Sequence, residues 1–286
     1  MNISLIGIGL MGQALGEHIL TENHTLTVFN RSPEKVIKLQ QQGALIASSA
    51  QDAVQSSDFC LLLLSDADAI NAILDSIEPD TFTHKMIIQM GTISPDESRS
   101  IAKRITNYSG RYLECPVLGS LPEARSGTLI LIAGGSDDDY QTALPLLTII
   151  GKEPQHIGIT GKGSTVKLAM NQLIAGLTSS FALSLALIEK EDIDTEQFMK
   201  IVRDSALYAS TFDKKLERML KRDFSNPNFP TKHLAKDTKL FLSVAQQLGL
   251  ETCALKGIDK LLDKTLEQGL ANTDYSAIYS AISKPK

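Results

Sequence analysis

Two polar side chains, Lys167 and Asn171, interrupt an otherwise apolar helical pattern, and their types and spacing suit acid–base chemistry. Residues 161–164 read Gly-Lys-Gly-Ser, which predicts a glycine turn with Ser164 as the helix N-cap. Lys167 and Asn171 then lie one turn apart on the same face. The positive helix N-terminus and burial both disfavour a charged lysine, which prepares it to give a proton to a carbonyl oxygen as hydride reaches the carbon. Asn171 would hold the lysine or the substrate. The same spacing fits equally well a lysine whose alkyl chain lies on a buried helix while its amine reaches water.

A second polar cluster, Lys232-His233-x-x-Lys236-Asp237, also has helical spacing. Lys236 could contact a cofactor, and Asp237 could pair with Lys167. The competing interpretation is a solvated helix start whose charges form salt bridges, and the pattern alone favours it. His233 by itself does not indicate catalysis.

Three glycines near the start have the spacing of a dinucleotide-binding loop, because Gly7, Gly9 and Gly12 follow an apolar run and precede a helical pattern. Gly7 permits the strand-to-helix turn, Gly9 lets the backbone approach a pyrophosphate, and Gly12 lets the helix pack against the strand. The backbone N–H groups around Leu10 and Met11 would then face the phosphates. A glycine-rich turn without this function is the alternative, and the flanking strand and helix patterns favour the dinucleotide.

The end of the second strand-like run indicates which dinucleotide is bound. Its residues Asn30, Arg31 and Ser32 occupy the position where NAD-binding proteins carry an acid for the ribose hydroxyls. No acid lies between residues 25 and 33. The guanidinium of Arg31 suits a 2′-phosphate, and Ser32 offers a hydroxyl, so we expect NADP. A solvated Arg31 is the alternative.

Further candidate loops follow other strand-like runs, where open α/β sheets bind their ligands. Ser65 follows the run that ends at Leu64, and Thr92 follows the run that ends at Gln89. Residues 116–120, Pro-Val-Leu-Gly-Ser, follow a further run. Small side chains and exposed N–H groups there could hold a carboxylate or a carbonyl oxygen.

Alternating strand-like and helical patterns predict a doubly wound, mostly parallel Rossmann-type α/β domain over residues 1–160. The strand-like runs are residues 3–8, 26–29, 44–46, 59–64, 86–89, 111–117, 129–133 and 155–157. Residues 161–286 have helical patterns only and predict an all-helical substrate and dimerisation domain. A long helix over 164–189, apolar nearly all round and therefore expected to be covered, would join the two domains. Further helices are expected near 195–206, 211–221, 232–248, 252–268 and 275–282.

Composition and charge argue against several classes of protein. The chain has 286 residues, 43% of them hydrophobic, and a net charge of -5 without a basic patch, which speaks against nucleic acid as a partner. Three scattered cysteines and the lack of a basic N-terminal leader lead us to expect a cytoplasmic protein with reduced thiols. No metal-type cysteine spacing occurs, so no metal is expected. We interpret the longest apolar stretch, 168–188, as a buried helix and not as a membrane span.

These motifs together resemble the β-hydroxyacid dehydrogenase family, which includes 3-hydroxyisobutyrate dehydrogenase and the glyoxylate/succinic semialdehyde reductases. The resemblance covers nearly the whole chain and follows four segments in order: 5–12 for the cofactor, 114–120 for the substrate loop, 161–171 for the catalytic helix and 232–237 for the cofactor-side helix. It implies that Lys167 is the general acid and that Asn171 binds substrate beside it. It further implies contacts to substrate and nicotinamide from Thr92, Gly119 and Ser120, a cofactor contact from Lys236, and Asp237 near the lysine. Phe229-Pro230, Asn30-Arg31-Ser32 and Gly119-Ser120 are similar to the semialdehyde reductase branch, where Phe229 would line the substrate pocket.

Three positions depart from the family pattern. Leu118 stands where the family has a serine that helps bind the substrate carboxylate, so a hydroxyl donor is lost and apolar bulk is gained. Glu114 replaces the usual Asp, and Gln89 stands where an Asp is frequent. Leu118 leaves the reaction type unchanged and puts the usual substrate in question.

The resemblance implies an NADPH-dependent reductase of a small aldehyde or keto acid that forms homodimers or homotetramers. Leu118 gives weight to one alternative, a reductase of C=N bonds on the related imine reductase scaffold. A catalytically silent NADPH-binding module is the alternative from another class of protein. The presence of Lys167 and Asn171 counts against both.

Overall fold

The computed structural model describes residues 1–284 as two compact units, Met1–Lys167 and a second that begins at Leu168. The division falls inside the longest helix of the chain. Each unit has its own hydrophobic clusters.

The first unit is built on one sheet that contains nine strands within the described residues. Its order is β3-β2-β1-β4-β5-β6-β8-β7, with β9 paired to β8. The strands from β3 to β6 are parallel, as in a Rossmann fold, and β8 runs antiparallel to β6 and β7. The strand bounds are Asn2–Ile6 (β1), Thr25–Phe29 (β2), Leu45–Ile46 (β3), Phe59–Leu62 (β4), Met86–Gln89 (β5), Arg111–Glu114 (β6), Val117–Leu118 (β7), Ile130–Gly134 (β8) and Gln155–Gly158 (β9). The predicted doubly wound sheet is confirmed, although the run 111–117 divides into β6 and β7.

Helices cover this sheet on both faces, and buried aliphatic side chains fill the two layers between them. Most of these helices begin at a side-chain cap: Ser49, Asp66, Ser94 and Ser136 each accept from the N–H three residues later. Sequence patterns missed α4, α6 and α7, of which α7 contains a proline in its interior. The helix bounds are Leu10–Thr21 (α1), Ile37–Gln41 (α2), Ala50–Gln55 (α3), Ala67–Asp75 (α4), Pro95–Asn107 (α5), Leu121–Arg125 (α6) and Asp137–Ile150 (α7).

The second unit is helical, as predicted. Its core packs Phe181 and Leu185 of the long helix α8 against Met199, Met219 and Tyr279. Asp194 caps α9 as its sequence position suggests, by accepting from the N–H of Gln197 at 2.7 Å. The helix bounds are Lys162–Lys190 (α8), Thr195–Asp204 (α9), Ser210–Lys221 (α10), Thr231–Gln247 (α11), Cys253–Glu267 (α12) and Ile278–Ile282 (α13), the last preceded by a 3-10 turn at Tyr275–Ala277.

Helix α8 differs from its prediction in two ways. It begins at Lys162, so Ser164 lies in the first turn and is not the N-cap. It is also covered on part of its circumference only, because Leu173, Leu183 and Leu187 are 50%, 64% and 62% exposed.

Among the helices of the described chain, α8 is long and apolar enough to span a membrane by length and composition. In its most apolar window 44% of the residues are buried inside the protein, and core helices of globular proteins pass the same test.

Candidate active site

The glycine loop between β1 and α1 has the geometry that its spacing predicts. Gly7 has a φ of 103°, and a Cβ there would lie 2.3 Å from the carbonyl oxygen of Leu63. A Cβ on Gly12 would lie 2.2 Å from the carbonyl oxygen of Gly7. Gly9 is different, because a Cβ there would meet nothing within 4 Å. The protein therefore requires Gly7 and Gly12 for its own packing, whereas the space above Gly9 is open.

The N-terminus of α1 is suited to an anion. Its N-cap is Gly9, which supplies no side-chain cap, and its first turn carries no acidic residue. The first-turn N–H groups, including those of Leu10 and Met11, and the open space at Gly9 fit a dinucleotide pyrophosphate. Unlike α1, the helices α3, α4, α5 and α7 each carry a Ser or Asp acceptor at the N-cap.

Asn30 braces the glycine loop, a role that the sequence did not reveal. The N–H of Ile8 donates to Asn30 Oδ1 at 2.9 Å, and Asn30 Nδ2 donates to the carbonyl of Ser32 at 3.0 Å. The first bond joins the loop after β1 to the loop after β2, and the second fixes the loop after β2 itself. Arg31, between them, is exposed. The side chain of Asn30 is thus engaged by the protein backbone, whereas Arg31 is exposed, and its contact with a ribose phosphate stays a prediction.

The predicted loop residues lie in a row that the strand order dictates. Parallel strands β2, β1, β4 and β5 are neighbours, so the segments after their carboxyl ends share one edge of the sheet. A Cβ on Gly91 would lie 2.3 Å from the carbonyl oxygen of Leu64, which brings the Thr92 loop against the Leu64–Ser65 loop. Ser65 donates to Asp66 at 2.7 Å.

Strand β7 carries the predicted substrate loop. Gly119 has a φ of 136°, and the N–H of Ser120 donates to Glu123 Oε2 at 2.8 Å. Within residues 1–284, the buried hydroxyl oxygen of Ser120 has no hydrogen-bond partner. Leu118, directly before this turn, is half-buried. Ser120 therefore offers a hydroxyl to a ligand, next to an apolar side chain.

The role of Glu114 at the end of β6 was not anticipated from the sequence. This carboxyl group is completely buried. Its Oε1 accepts from the N–H groups of Gly161, Gly163 and Ser164 at 2.7, 2.7 and 3.2 Å. Its Oε2 accepts from the Ser164 hydroxyl at 2.7 Å and from the Ser98 hydroxyl. The acceptor that the sequence assigned to Ser164 is thus supplied by a strand.

In the second unit the structure joins Asn171 to Asp237. Both are 2% exposed, and Asn171 Nδ2 donates to Asp237 Oδ2 at 2.6 Å. Lys236 Nζ lies 2.8 Å from Asp237 Oδ1. A solvated helix start, the interpretation that the pattern alone favoured, is therefore wrong for Asp237. Asn171 Oδ1 is buried and has no hydrogen-bond partner in the described part of the chain, so this amide can still accept a hydrogen bond.

Lys167 is half-buried and lies one turn before Asn171 on α8. Its role as a proton donor, and the pairing with Asp237, stay predictions.

Phe229 packs against two aromatic neighbours. Its ring stacks on His233 at a centroid distance of 6.4 Å and meets Tyr275 edge-on at 5.7 Å. The ring belongs to the core cluster that includes Leu234 and Leu262. This packing gives Phe229 a fixed orientation, while its place in a substrate pocket stays a prediction.

The buried cysteines are not candidates for nucleophilic chemistry. Burial raises the pKa of Cys115 to about 12, with the charge of Glu114 adding to the shift. Burial likewise raises the pKa of Cys60 to about 12. Both remain thiols near neutral pH. Within residues 1–284, no group of three or more His, Cys, Asp or Glu side chains is arranged to hold a metal ion.

Comparisons with known proteins agree with this geometry. Residues 2–161 match the family model described as the NAD binding domain of 6-phosphogluconate dehydrogenase. Residues 161–282 match the model for the NAD-binding region of NADP-dependent 3-hydroxyisobutyrate dehydrogenase. Glyoxylate/succinic semialdehyde reductase 1 of Arabidopsis thaliana is 27% identical over 285 residues, which cover 99% of this chain and 98% of that protein.

Solved structures share the fold. The 3-hydroxyisobutyrate dehydrogenase of Salmonella typhimurium has a TM-score of 0.88 at 22% identity, covering 98% of this chain and 99% of that one. The imine reductase of Myxococcus stipitatus in complex with NADP+ has a TM-score of 0.69 at 20% identity, covering 99% of this chain and 100% of that one.

Proposed function

The chain belongs to the β-hydroxyacid dehydrogenase family and is a nicotinamide-dependent oxidoreductase, and from that premise we propose that it reduces a small aldehyde or keto acid to the hydroxy acid with NADPH. The observation that carries the proposal is the pair Lys167 and Asn171, one turn apart on α8. Asn171 is buried, is fixed by Asp237 and keeps an unused acceptor oxygen. This oxygen can accept a hydrogen bond from a substrate hydroxyl or from an amine.

Proton transfer is the step that we assign to Lys167. NADPH, when bound, would supply the hydride for the carbonyl carbon, and negative charge would then develop on the carbonyl oxygen. Lys167 Nζ gives that oxygen a proton, becomes a neutral amine and regains a proton from solvent. In the oxidative direction the neutral amine takes the hydroxyl proton. Asn171, anchored through Asp237, orients the lysine or the substrate oxygen.

NADPH is proposed over NADH because of the residues after β2. Asn30 is held by the backbone of Ile8 and Ser32, which fixes the course of the loop. Arg31 is exposed there, and a guanidinium forms charge-assisted hydrogen bonds to a phosphate monoester. No acid between residues 25 and 33 competes for ribose hydroxyls.

The substrate that we propose is a small acid with an aldehyde or keto group, as in glyoxylate or succinic semialdehyde. Ser120 supports a carboxylate contact, because its buried hydroxyl has no hydrogen-bond partner among the described residues. Leu118 removes a second hydroxyl from this loop and adds apolar surface, which favours the longer acid with its methylene groups.

Consumption of NADPH by the purified wild-type protein tests the proposal. Glyoxylate, succinic semialdehyde, an apolar aldehyde and a cyclic imine are offered separately, and NADH is run in parallel. We expect turnover of the acids, with succinic semialdehyde preferred and NADPH used more efficiently than NADH. Tight NADPH binding without turnover of either acid contradicts the proposed reaction.

Reduction of C=N bonds is the second candidate, and Leu118 is the observation that favours it, since an imine needs no serine for a carboxylate. The retained Lys167 and Asn171 argue against it, as does the weaker fold likeness to the imine reductase. Turnover of the imine without turnover of the acids decides for this candidate. Binding of NADPH without turnover of any compound decides for a silent cofactor-binding module.

A further inference from the structure

The first turn of α8, the helix that carries Lys167, is capped by a residue of a strand and not by a residue next to it in sequence. The N-cap position of α8 is Gly161, which has no side chain to accept a hydrogen bond. Glu114, at the end of β6, accepts instead from the N–H groups of Gly161, Gly163 and Ser164. An ionised carboxylate at this place satisfies three N–H groups that a helix start leaves without partners and opposes the positive end of the helix dipole.

The surroundings of Glu114 are built to hold it. A Cβ on Gly134 would lie 2.3 Å from Glu114 Oε1, and a Cβ on Gly163 would lie 3.2 Å from the same atom. Both glycines therefore leave the room that the carboxylate occupies. All five of its donors are backbone N–H groups or serine hydroxyls, and these satisfy a buried charge without any cation.

The same carboxylate also joins α8 to a further element of the site. Its Oε2 accepts from Ser98 on α5, the helix that follows the Thr92 loop. The hydroxyls of Ser98 and Tyr112 lie 2.9 Å apart. Burial, and the charge of Glu114, raise the pKa of Tyr112, so this phenol keeps its proton. A buried chain of hydrogen bonds thus runs from Tyr112 through Ser98 and Glu114 to Ser164.

We propose that Glu114 is a positioning residue of the reductase, which fixes the first turn of α8 and thereby the amine of Lys167. This inference rests on the proposed role of Lys167 as the proton donor. The other capped helices of the first unit take their acceptor from the residue at the N-cap itself, which holds a helix end to its own chain. An acceptor on β6 holds α8 to the sheet whose edge carries the cofactor loops.

Lys167 lies close enough to the capped turn of α8 for a change at Glu114 to reach it directly. Lys167 follows Gly163 by four residues, which is a rise of about 6 Å along a helix, or roughly one turn. Loss of the Glu114 bonds lets this turn fray or tilt. Misplacement of a reacting group by about 1 Å can cost about 10²-fold in rate.

Two substitutions at Glu114 separate charge from shape. Glu114→Gln keeps the size and an acceptor oxygen but removes the charge. Glu114→Asp keeps the charge but is one methylene shorter. With succinic semialdehyde and NADPH we expect kcat of Glu114→Gln to fall about tenfold or more, with Glu114→Asp between it and the wild type. The dissociation constant of NADPH, measured by fluorescence, should stay within about twofold of the wild type.

Hydrogen exchange gives a readout independent of activity. The amides of Gly161, Gly163 and Ser164 should exchange faster in Glu114→Gln, while those of α1 keep the wild-type rate. Asp194→Ala removes the N-cap of α9 and serves as the matched control. Its melting temperature should fall as much as that of Glu114→Gln, with kcat unchanged.

A double-mutant cycle with Lys167→Ala distinguishes the two proposals. If Glu114 acts through Lys167, Glu114→Gln lowers kcat in the wild type and has little further effect when Lys167 is alanine. The positioning role is overturned if the kcat loss of the double variant is the product of the losses in the two single variants. It is also overturned if kcat of Glu114→Gln stays within about twofold of the wild type. A parallel loss of kcat and NADPH affinity also overturns it. Undiminished turnover by Lys167→Ala instead overturns the proton-donor assignment.

Ser164→Ala is the substitute if Glu114→Gln does not fold. It removes one hydroxyl donor from Glu114 Oε2, and we expect kcat to fall about fivefold, as for the loss of one such bond. The loss should again disappear in the Lys167→Ala background. A Ser164→Ala variant with wild-type kcat overturns the inference.

Discussion

At the scale of single residues, the proposal assigns the choice of cofactor and the choice of substrate to different side chains. Arg31 lies in the loop after β2, and Leu118 lies on β7, several strands away along the sheet order. Each can be changed without touching Lys167 or its neighbours. Their effects should therefore be separable, with Arg31 acting on the cofactor alone and Leu118 on the substrate alone.

Arg31→Ala should raise KM for NADPH by about tenfold or more and leave KM for NADH nearly unchanged, because a charge-assisted bond to the 2′-phosphate is lost. Initial rates at varied cofactor concentration measure this. Lys152→Ala is the matched control, since it removes an exposed positive charge just before β9, near the opposite edge of the sheet. An equal rise in KM for both cofactors contradicts a role in reading the phosphate.

Leu118→Ser should lower KM for glyoxylate about fivefold, because a hydroxyl donor returns to the carboxylate side of the substrate loop. Affinity for NADPH should not change. Leu45→Ser makes the same exchange at an exposed position on β3, the edge strand beyond β2, and should have no kinetic effect. An unchanged KM for glyoxylate in Leu118→Ser removes the reason to regard this position as a determinant of substrate.

At the scale of elements, α1 and α8 show two ways to use a helix N-terminus. Gly9 leaves the first turn of α1 open to a ligand, whereas Glu114 closes the first turn of α8 from within the protein. The glycine at the N-terminus therefore has a different consequence in each of the two helices. The first turn of α1 is open, where we propose that the pyrophosphate binds, and the first turn of α8 is filled by the Glu114 carboxylate.

Gly9→Ala and Gly12→Ala should therefore behave differently. A methyl group on Gly9 meets no protein atom within 4 Å, so the melting temperature should stay at the wild-type value while NADPH affinity falls. A methyl group on Gly12 collides with the Gly7 carbonyl oxygen, so stability should fall by about 1–3 kcal/mol. Thermal unfolding and NADPH titration measure the pair. Unimpaired NADPH affinity in Gly9→Ala contradicts the proposed pyrophosphate site.

The sequence was sufficient to predict many of the strands and helices, since glycine spacing and hydrophobic alternation are local signals. They predicted the strand–loop–helix unit around Gly9 and the approximate bounds of α9 to α12. The sequence misplaced the start of α8, because the capping residue Glu114 lies 47 residues before Gly161. The link between Asn171 and Asp237 spans 66 residues, and no local pattern encodes such a pair.

At the scale of the whole molecule, the second unit leaves an apolar surface uncovered. Leu183 and Leu187 of α8 are 64% and 62% exposed, and Ile201 and Leu207 are 70% and 80% exposed. Several exposed aliphatic side chains on one unit are typical of an interface between protein chains. We expect a second copy of the chain to cover it.

Sedimentation should accordingly show a dimer or a larger assembly, and Leu183→Glu with Leu187→Glu should shift it toward the monomer. Leu248→Glu is the control, since Leu248 is 67% exposed and follows α11, a different helix from those that carry these residues. A monomeric wild-type protein, or one that binds lipid vesicles through these leucines, contradicts self-association.

The proton-donor role of Lys167 is the central claim, and the kcat of Lys167→Ala tests it most directly. With NADPH and succinic semialdehyde we predict a loss of about 10²-fold or more, because a general acid usually contributes at least that much. NADPH affinity should be retained, and Lys162→Ala, which removes an exposed lysine at the start of the same helix, should keep wild-type kcat. A loss of less than about tenfold in Lys167→Ala would contradict the account.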